Sequence, residues 1–245
     1  MDFNPLVLSL EVATFATFFA LVLGLFAARL VTKLKRGKFL WDSVLMLPLV
    51  LPPTVTGFFL LILFGKNSAL GKILSTIGLQ VIFTLKGAVI AACIVSFPII
   101  YRGIRGAFEN LDPELVDVAR LYGCNEFMIF FRVYVPLCWQ ELRAVTIIAF
   151  ARAIGEFGAT IMVAGNIPGK TRTMSIAIYT SMQSGDRQEA YRWVAITLAL
   201  SFIVLMITNC FSGIQYSHEN GKGNLIERWI RKKNRLSEDL SDGQM

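Results

Sequence analysis

One heptapeptide of this chain resembles a nucleotide-binding loop. Residues 165–171 read Gly-Asn-Ile-Pro-Gly-Lys-Thr, which is similar to the loop that holds phosphate groups with backbone N–H groups and a lysine. That motif requires four residues between its glycines, and three stand here. It also follows a strand, whereas this stretch follows a long apolar run. We therefore predict no ATP site in this loop, and the chain shows no nucleophile and base at a recognisable spacing.

The side chains that most often carry metal or acid–base chemistry are scattered. The single histidine, His218, stands in a polar stretch with no partner for metal ligation or proton transfer. Cys93 and Cys210 fall inside apolar runs, while Cys124 and Cys138 flank a polar segment. This pattern predicts free, reduced thiols without a disulfide framework. We predict that the chain is not an enzyme and that it binds neither a metal nor a cofactor of its own.

Arg152 and Glu156 are the charged residues of one long apolar run. Four residues apart on a helix, they can face each other. One charge in the middle of a membrane costs roughly 2.5–3.5 kcal/mol on insertion scales, so both should face protein or water. Two interpretations stay open: a buried ion pair, which we favour, or a pair that lines the path of an anion. Gly155 and Gly158 would give the same helix a surface for close packing.

The whole chain is unusually apolar. Of its 245 residues, 55% are hydrophobic and 17% are charged, and the mean hydropathy is +0.59. The chain is more apolar, and its charged fraction is lower, than in ordinary soluble domains. The net charge of +7 could indicate nucleic acid, but the basic residues are dispersed in short loops beside apolar runs. The composition therefore predicts an integral membrane protein whose surroundings are lipid, with no nucleic acid partner.

Five segments are long and apolar enough to cross a bilayer core of roughly 30 Å, which takes about 20 helical residues. They are Leu6–Leu30, Val44–Phe64, Gly87–Tyr101 with its flanks, Ala144–Ala164 and Trp193–Ile214. The predicted fold class is all-α, a polytopic membrane protein. We expect one transmembrane domain over residues 1–216 and a basic and acidic tail over residues 217–245.

Charge distribution predicts the direction of the spans. The only charged residue before the first span is Asp2, and no basic residue precedes it. This argues against a cleaved signal peptide and for an N-terminus outside. Arg29–Lys38, Arg102–Arg143 and the tail after Ile214 then share one side and carry sixteen Lys and Arg residues, against seven on the other side. By the positive-inside rule, these loops and the C-terminus lie in the cytoplasm.

The polar segment of residues 112–137 is predicted to form two short helices around a glycine corner. Asp112 can cap a helix that starts at Pro113, and Gly123 is suited to end it after Tyr122. Asn125 offers a second cap, and Pro136 closes the second helix.

Both predicted helices are amphipathic. On the first, one apolar face comprises Leu115, Val118, Ala119 and Tyr122, with Glu114, Asp117 and Arg120 turned away from it. On the second, the same spacing is repeated by Phe127, Phe130, Phe131 and Tyr134. Spacing alone favours a hairpin that lies on the bilayer surface, although a docking element for a soluble partner shows the same pattern.

The order of residues favours docking. Asp117-Val118-Ala119, three residues, Gly123, nine residues and Val133-Tyr134-Val135-Pro136 resemble the cytoplasmic signature of ABC importer permeases, Glu-Ala-Ala, three, Gly, nine, Ile-x-Leu-Pro. In that family this element is the coupling helix, which seats in a cleft of the ATP-hydrolysing subunit. The resemblance implies a type I ABC importer permease fold. It also implies coupling to an ATPase by Glu114, Asp117, Ala119, Gly123, Val133 and Pro136.

Further stretches narrow the resemblance to the permeases of molybdate importers. They are Leu47–Gly57, which reads LPLVLPPTVTG, Gly155-Glu156-Phe157-Gly158, the heptapeptide at residues 165–171, Ser175–Tyr179 and Ser184-Gly185-Asp186. Sulfate and tungstate importers share parts of this pattern, so the particular oxyanion stays open. We expect the prokaryotic cytoplasmic membrane, two copies of the chain, two ATPase subunits that bind ATP and Mg, and an external molybdate-binding protein.

The heptapeptide loop has a predicted role within this arrangement. Lys170 and Arg172 give it a positive field, and on the predicted topology it lies outside. We therefore expect it to face the external binding protein. The rival class is a secondary transporter or channel, which should show broken helices and intramembrane ion ligands. Only Arg152 and Glu156 approach that description in the sequence.

Overall fold

The computed structural model describes residues 3–34 and 36–207. Within those ranges the chain is helical and contains no strand. Its helices are α1 Asn4–Lys33, α2 Lys38–Val50, α3 Pro53–Phe64, α4 Ala69–Thr76, α5 Leu85–Glu109, α6 Pro113–Leu121, α7 Glu126–Ile129, α8 Val135–Leu137, α9 Trp139–Ile154, α10 Gly158–Ala164, α11 Met174–Gln183 and α12 Arg187–Ile207. A π turn, Phe130–Tyr134, joins α7 to α8.

Met1–Val204 form one compact unit, and a second unit begins at Leu205, of which three residues are described. The predicted tail, with His218, lies outside the described residues, as does Cys210. Cys93, Cys124 and Cys138 are free thiols, in agreement with the sequence.

Three of the predicted spans are single helices long and apolar enough to cross a membrane. α1 contains the first span, α5 extends the short third span in both directions, and α12 begins six residues before Trp193. The predicted end of the fifth span, Ile214, lies beyond the described residues. At 1.5 Å per residue, the 30 residues of α1 extend over about 45 Å, more than a bilayer core requires.

The second predicted span, Val44–Phe64, is divided between two helices. The chain bends by 108° between α2 and α3. Leu51 and Pro52, which separate the two helices, have extended ψ values of 141° and 135°. A proline restricts the residue before it to extended backbone and has no N–H for a helix. The consecutive prolines Pro52 and Pro53 therefore break this segment.

The segment Ala144–Ala164 is also interrupted. α9 ends at Ile154, and α10 begins at Gly158 after a break of three residues. α9 in turn is bent by 74° from the helical stretch Glu126–Leu137. If this bent pair and the pair α2–α3 each count as one span, the described residues contain up to five spans.

Helices α1 and α5 pack along each other. Their contact is made by small side chains with no exposed surface, among them Ala13, Ala16 and Ala20 of α1 and Ala88 and Ala92 of α5. Such residues allow two backbones to approach closely in a membrane, where van der Waals packing holds helices together. α9 lies against both of these helices, and α10 lies against α3 and α5.

Candidate functional site

Residues 112–137, which we call the coupling element after the role predicted for them, comprise α6, α7, the π turn and α8. Both predicted caps are confirmed. Asp112 Oδ1 accepts the Glu114 N–H at 2.9 Å, and Asn125 Oδ1 accepts the Met128 N–H at 2.7 Å. These bonds satisfy amide groups that the first turn of a helix leaves free. Local sequence therefore decides where both helices begin.

The corner between the two helices lies at Gly123. Its φ is +78°, a conformation in which a Cβ is strained, and no atom lies within 4 Å of the position a Cβ would take. The Cys124 N–H bonds to the Ala119 carbonyl at 3.1 Å across the corner. α6 ends at Leu121, one residue before the predicted end. The requirement for glycine here is therefore conformational and does not arise from crowding.

The sequence predicted that Pro136 closes the second helix, but the helix ends one residue later. Helical backbone continues to Leu137, and the chain bends at Cys138. The preceding π turn widens the helix, with the Val135 N–H bonded to the Phe130 carbonyl. Pro136 lies in the first turn of α8, where its missing N–H is tolerated.

The predicted apolar face of α6 is largely uncovered. Leu115 is 48% exposed, Val118 49% and Tyr122 85%, and the neighbouring Leu121 is 87% exposed. Val116, on the opposite side, is buried. These side chains keep about half or more of their surface exposed, so α6 presents a row of apolar groups beside the exposed carboxylates of Glu114 and Asp117. Such a surface fits a groove on another protein.

The aromatic face predicted for the second helix is divided. Phe130 and Tyr134 are buried, with ring centroids 6.1 and 5.0 Å from that of Phe108 on α5. Phe127 and Phe131, however, are 70% and 45% exposed. The single face that the sequence predicted is therefore split between a buried pair, which packs against α5, and an exposed pair. One aromatic pair anchors the coupling element, and the other remains at its surface.

Val133 and Ala119 are half-buried, and Pro136 is exposed. The residues predicted to couple therefore lie within one element, although not in one uniform environment. Among the described residues no group of three His, Cys, Asp or Glu side chains lies close enough to hold a metal ion.

An ion-pair cluster that the sequence did not predict links the coupling element to α1. Glu126 Oε2 accepts from Arg29 Nη2 at 2.7 Å and lies 2.7 Å from Lys33 Nζ. Glu126 Oε1 lies 3.1 Å from both Nε and Nη2 of Arg120, whose Nη1 is 2.8 Å from Asp117 Oδ1. Arg29 and Glu126 are 97 residues apart in the chain, so local sequence carries no signal for this contact.

These cations lower the pKa of Glu126 to about 2, chiefly through the hydrogen bond from Lys33, partly offset by burial and reinforced by Arg120. The Arg29 guanidinium is also packed against an aromatic ring, with its Cζ 4.1 Å from the centroid of Tyr134. The cluster and the buried aromatic residues therefore hold the coupling element against α1.

A second cluster joins α2 to α5. Glu109 contacts Lys38 and accepts from Arg105 Nε at 3.1 Å, while Arg105 also pairs with Asp42. The Tyr101 hydroxyl donates to Asp42 Oδ1 at 2.8 Å. A cavity of about 370 Å³ lies beside these groups.

Arg152 and Glu156 face each other across the break between α9 and α10, with Nη1 and Oε2 2.8 Å apart. Glu156 is 3% exposed, and its Oε1 accepts the Ala159 N–H at 2.9 Å. One carboxylate thus pairs with the last turn of α9 and caps the first turn of α10. Whether the pair also lines a path stays a prediction.

The heptapeptide loop lies at the other end of α1 from the coupling element. The Met174 N–H, just after the loop, donates to Ser9 Oγ near the start of α1 at 2.8 Å. Lys170 is exposed, and Arg172 Nε donates to Asn166 Oδ1 at 2.8 Å. The loop and Glu126 are therefore separated by most of the length of α1.

The chain matches the family model "Binding-protein-dependent transport system inner membrane component" over residues 20–221. A putative molybdenum transport system permease protein of Bacillus subtilis is 42% identical over 205 residues, which are 83% of this chain and 90% of the relative. The molybdenum transport system permease protein of Escherichia coli K12 is 41% identical over 216 residues, 87% and 94% of the two chains.

A solved bacterial ABC transporter involved in the import of the acidic polysaccharide alginate has a chain of the same fold. The TM-score is 0.69 at 14% identity, with 85% of this chain and 78% of that chain covered. At that identity the likeness concerns the fold alone.

Proposed function

Because this chain belongs to the family of binding-protein-dependent transport system inner membrane components, we propose that it is the pore subunit of an ATP-driven importer of molybdate. The exposed apolar face of α6 is the observation that carries the coupling part of this proposal. The molybdenum transport permeases that are 42% and 41% identical to it support the choice of ion.

The proposed complex contains two copies of this chain, two cytoplasmic ATPase subunits and an external molybdate-binding protein. The ATPases bind ATP and Mg, whereas this chain binds no cofactor and hydrolyses nothing. Lys170 and Arg172 face the binding protein, and α6 with Glu114, Asp117 and Ala119 enters a cleft of the ATPase. The N-terminus then lies outside and the C-terminus in the cytoplasm, as the distribution of Lys and Arg predicts.

The physical sequence of events follows from this placement. Closure of the ATPases around ATP displaces α6, and the ion pairs and aromatic contacts of the coupling element pass that displacement to α1 and α5. Rearrangement of these helices opens the pathway to one side of the membrane at a time. Broken helices alone do not favour a secondary transporter, because a solved ABC transporter shares this fold.

The test is transport by the purified complex in lipid vesicles. We expect molybdate uptake that requires ATP, the ATPase subunit and the binding protein together. Uptake that persists without ATP and follows an ion gradient would instead identify a secondary transporter or channel. Uptake of molybdate, tungstate and sulfate, each measured at equal concentration, distinguishes the three oxyanions. If tungstate or sulfate is taken up faster than molybdate, that ion is the substrate.

A further inference from the structure

The last turns of α1 contain two cations that need a common counterion. Arg29 and Lys33 are four residues apart, so they lie side by side on the helix and repel each other. Arg29 is 8% exposed, and within the described part of the chain its Nε has no hydrogen-bond partner. Glu126 Oε2 lies 2.7 Å from both cations. A residue of the coupling element therefore supplies the negative charge that partly offsets the two cations at the end of α1.

The other oxygen of the same carboxylate contacts α6. Glu126 Oε1 pairs with Arg120, on the far side of the Gly123 corner. α6 has few other attachments, since Val116 is its buried residue and its apolar face is exposed. One carboxylate thus bridges α6, the helix proposed to meet the ATPase, and α1, which packs along α5.

α1 is suited to carry a displacement over a long distance. It is one continuous helix of 30 residues, packed on α5 through alanines. Near its start, Ser9 Oγ accepts the N–H of Met174, just after the loop that contains Lys170 and Arg172. A movement of the Lys33 end is therefore transmitted towards the opposite end of the molecule.

From this connection we propose that Glu126 is a positioning residue for transport, which passes the displacement of α6 to α1. This inference rests on the proposed function, because only an importer that is driven through α6 needs a connection between α6 and α1. Glu126 touches neither ATP nor the transported ion. Its loss should leave ATP hydrolysis in place and separate hydrolysis from transport.

The experiment measures molybdate uptake and ATP hydrolysis in the same vesicles. Glu126→Gln keeps the shape of the side chain and removes its charge, and we expect transport per ATP to fall about tenfold or more, within the range of known couplings between sites. Glu126→Asp retains the charge and should restore part of the ratio. Arg120→Met, which removes only the α6 arm, should lower the ratio as Glu126→Gln does.

The matched control is Glu109→Gln. Glu109 also holds two cations, Lys38 and Arg105, but it connects α2 to α5 and does not contact α6. This variant should keep the wild-type ratio of transport to hydrolysis. A wild-type ratio in Glu126→Gln, or an equal fall in both variants, would overturn the role of Glu126.

A second measurement does not depend on transport. Spin labels at Leu30→Cys and Leu121→Cys, both at exposed positions, report the distance between α1 and α6 in a chain whose native cysteines are replaced. The distance distribution should broaden with Glu126→Gln and stay narrow with Glu109→Gln. If wild-type vesicles show no ATP-dependent uptake, the proposed function fails, and an unchanged distribution in Glu126→Gln overturns the connection independently.

Discussion

Glycines of this chain differ sharply in what surrounds them. A Cβ at Gly57 of α3 would lie 2.8 Å from the Cα of Ala159, a backbone atom of α10 that cannot easily move. At Gly106 of α5 no atom lies within 4 Å of the same position. The first glycine therefore permits the contact of α3 with α10, while the second only adds backbone freedom to a helix.

We expect Gly57→Ala to destabilise the protein by about 1–3 kcal/mol, the usual cost of overpacking. Gly106→Ala should instead stabilise it by about 0.5–1 kcal/mol. Thermal unfolding of both variants in detergent checks the prediction. Equal shifts of the melting temperature would contradict the packing of α3 against α10.

Glu156 is a buried carboxylate with two different partners. Arg152→Met leaves it without a countercharge, which costs about 3 kcal/mol, while Glu156→Gln retains an oxygen for the Ala159 N–H and should cost less. The double variant should be less damaged than the sum of the two. Unfolding measurements in a double-mutant cycle check this, and strict additivity would argue against a structural ion pair.

At the scale of the elements, the coupling element combines a buried attachment with a projecting helix. Phe130 and Tyr134 are buried against α1 and α5, whereas α6 projects its apolar residues beyond the Gly123 corner. The angle between α6 and α7 depends on the conformation of Gly123 and on the ion pair of Arg120 with Glu126. Both conditions must hold for α6 to present its face correctly.

Replacement of Gly123 tests the first condition. Gly123→Val should cost about 1–3 kcal/mol in backbone strain and should lower either assembly with the ATPase or transport per ATP. Gly123→Asn is the matched control, because asparagine tolerates positive φ better than other residues with a Cβ. Transport at the wild-type level in the valine variant would count against the corner.

The ion pairs of Glu126 predict a dependence on pH. The pKa of this carboxyl is lowered from 4.5 to about 2, so its contribution to stability is fully present above about pH 4.5 and is lost as the pH falls towards 2. The stability difference between wild type and Glu126→Gln should therefore be constant from neutral pH to about 4.5 and shrink below. Unfolding curves at several pH values measure it, and a constant difference down to pH 2 would refute the pairing.

At the scale of the whole molecule, α1 separates two surfaces with different proposed tasks. The loop with Lys170 and Arg172 lies near its start, and the cluster of Glu126 lies at its end. With about 45 Å between the ends of α1, the two surfaces fit opposite faces of a membrane. The distribution of basic residues also predicts opposite sides for these two surfaces, and which side is cytoplasmic stays a prediction.

Neutralising the outer loop tests its proposed role. Lys170→Gln together with Arg172→Gln should slow uptake several-fold at limiting substrate and low salt, since a positive field speeds association. The effect should diminish at high ionic strength, where charges are screened. Because Arg172 also bonds Asn166, Lys170→Gln alone serves as the control for loop structure. Unchanged uptake at normal protein levels would refute the role.

The sequence by itself determined the class, the approximate spans and the starts of the coupling helices. Composition and charge decide whether a segment is stable in lipid or in water. Caps such as Asp112 and Asn125 act within one helical turn. All of these can be seen in a linear chain. The consecutive prolines were visible too, but the 108° bend was not predicted from them.

Only the tertiary structure decided which apolar faces are covered and which charges meet. Phe130 is buried while Phe131 is exposed because only Phe130 faces α1 and α5, where it meets Phe26 and Phe108. Glu126 pairs with Arg29 because helices distant in the chain are brought together by packing, 97 residues apart. Such contacts depend on which helices pack together, and the spacing of residues along the sequence does not show which helices these are.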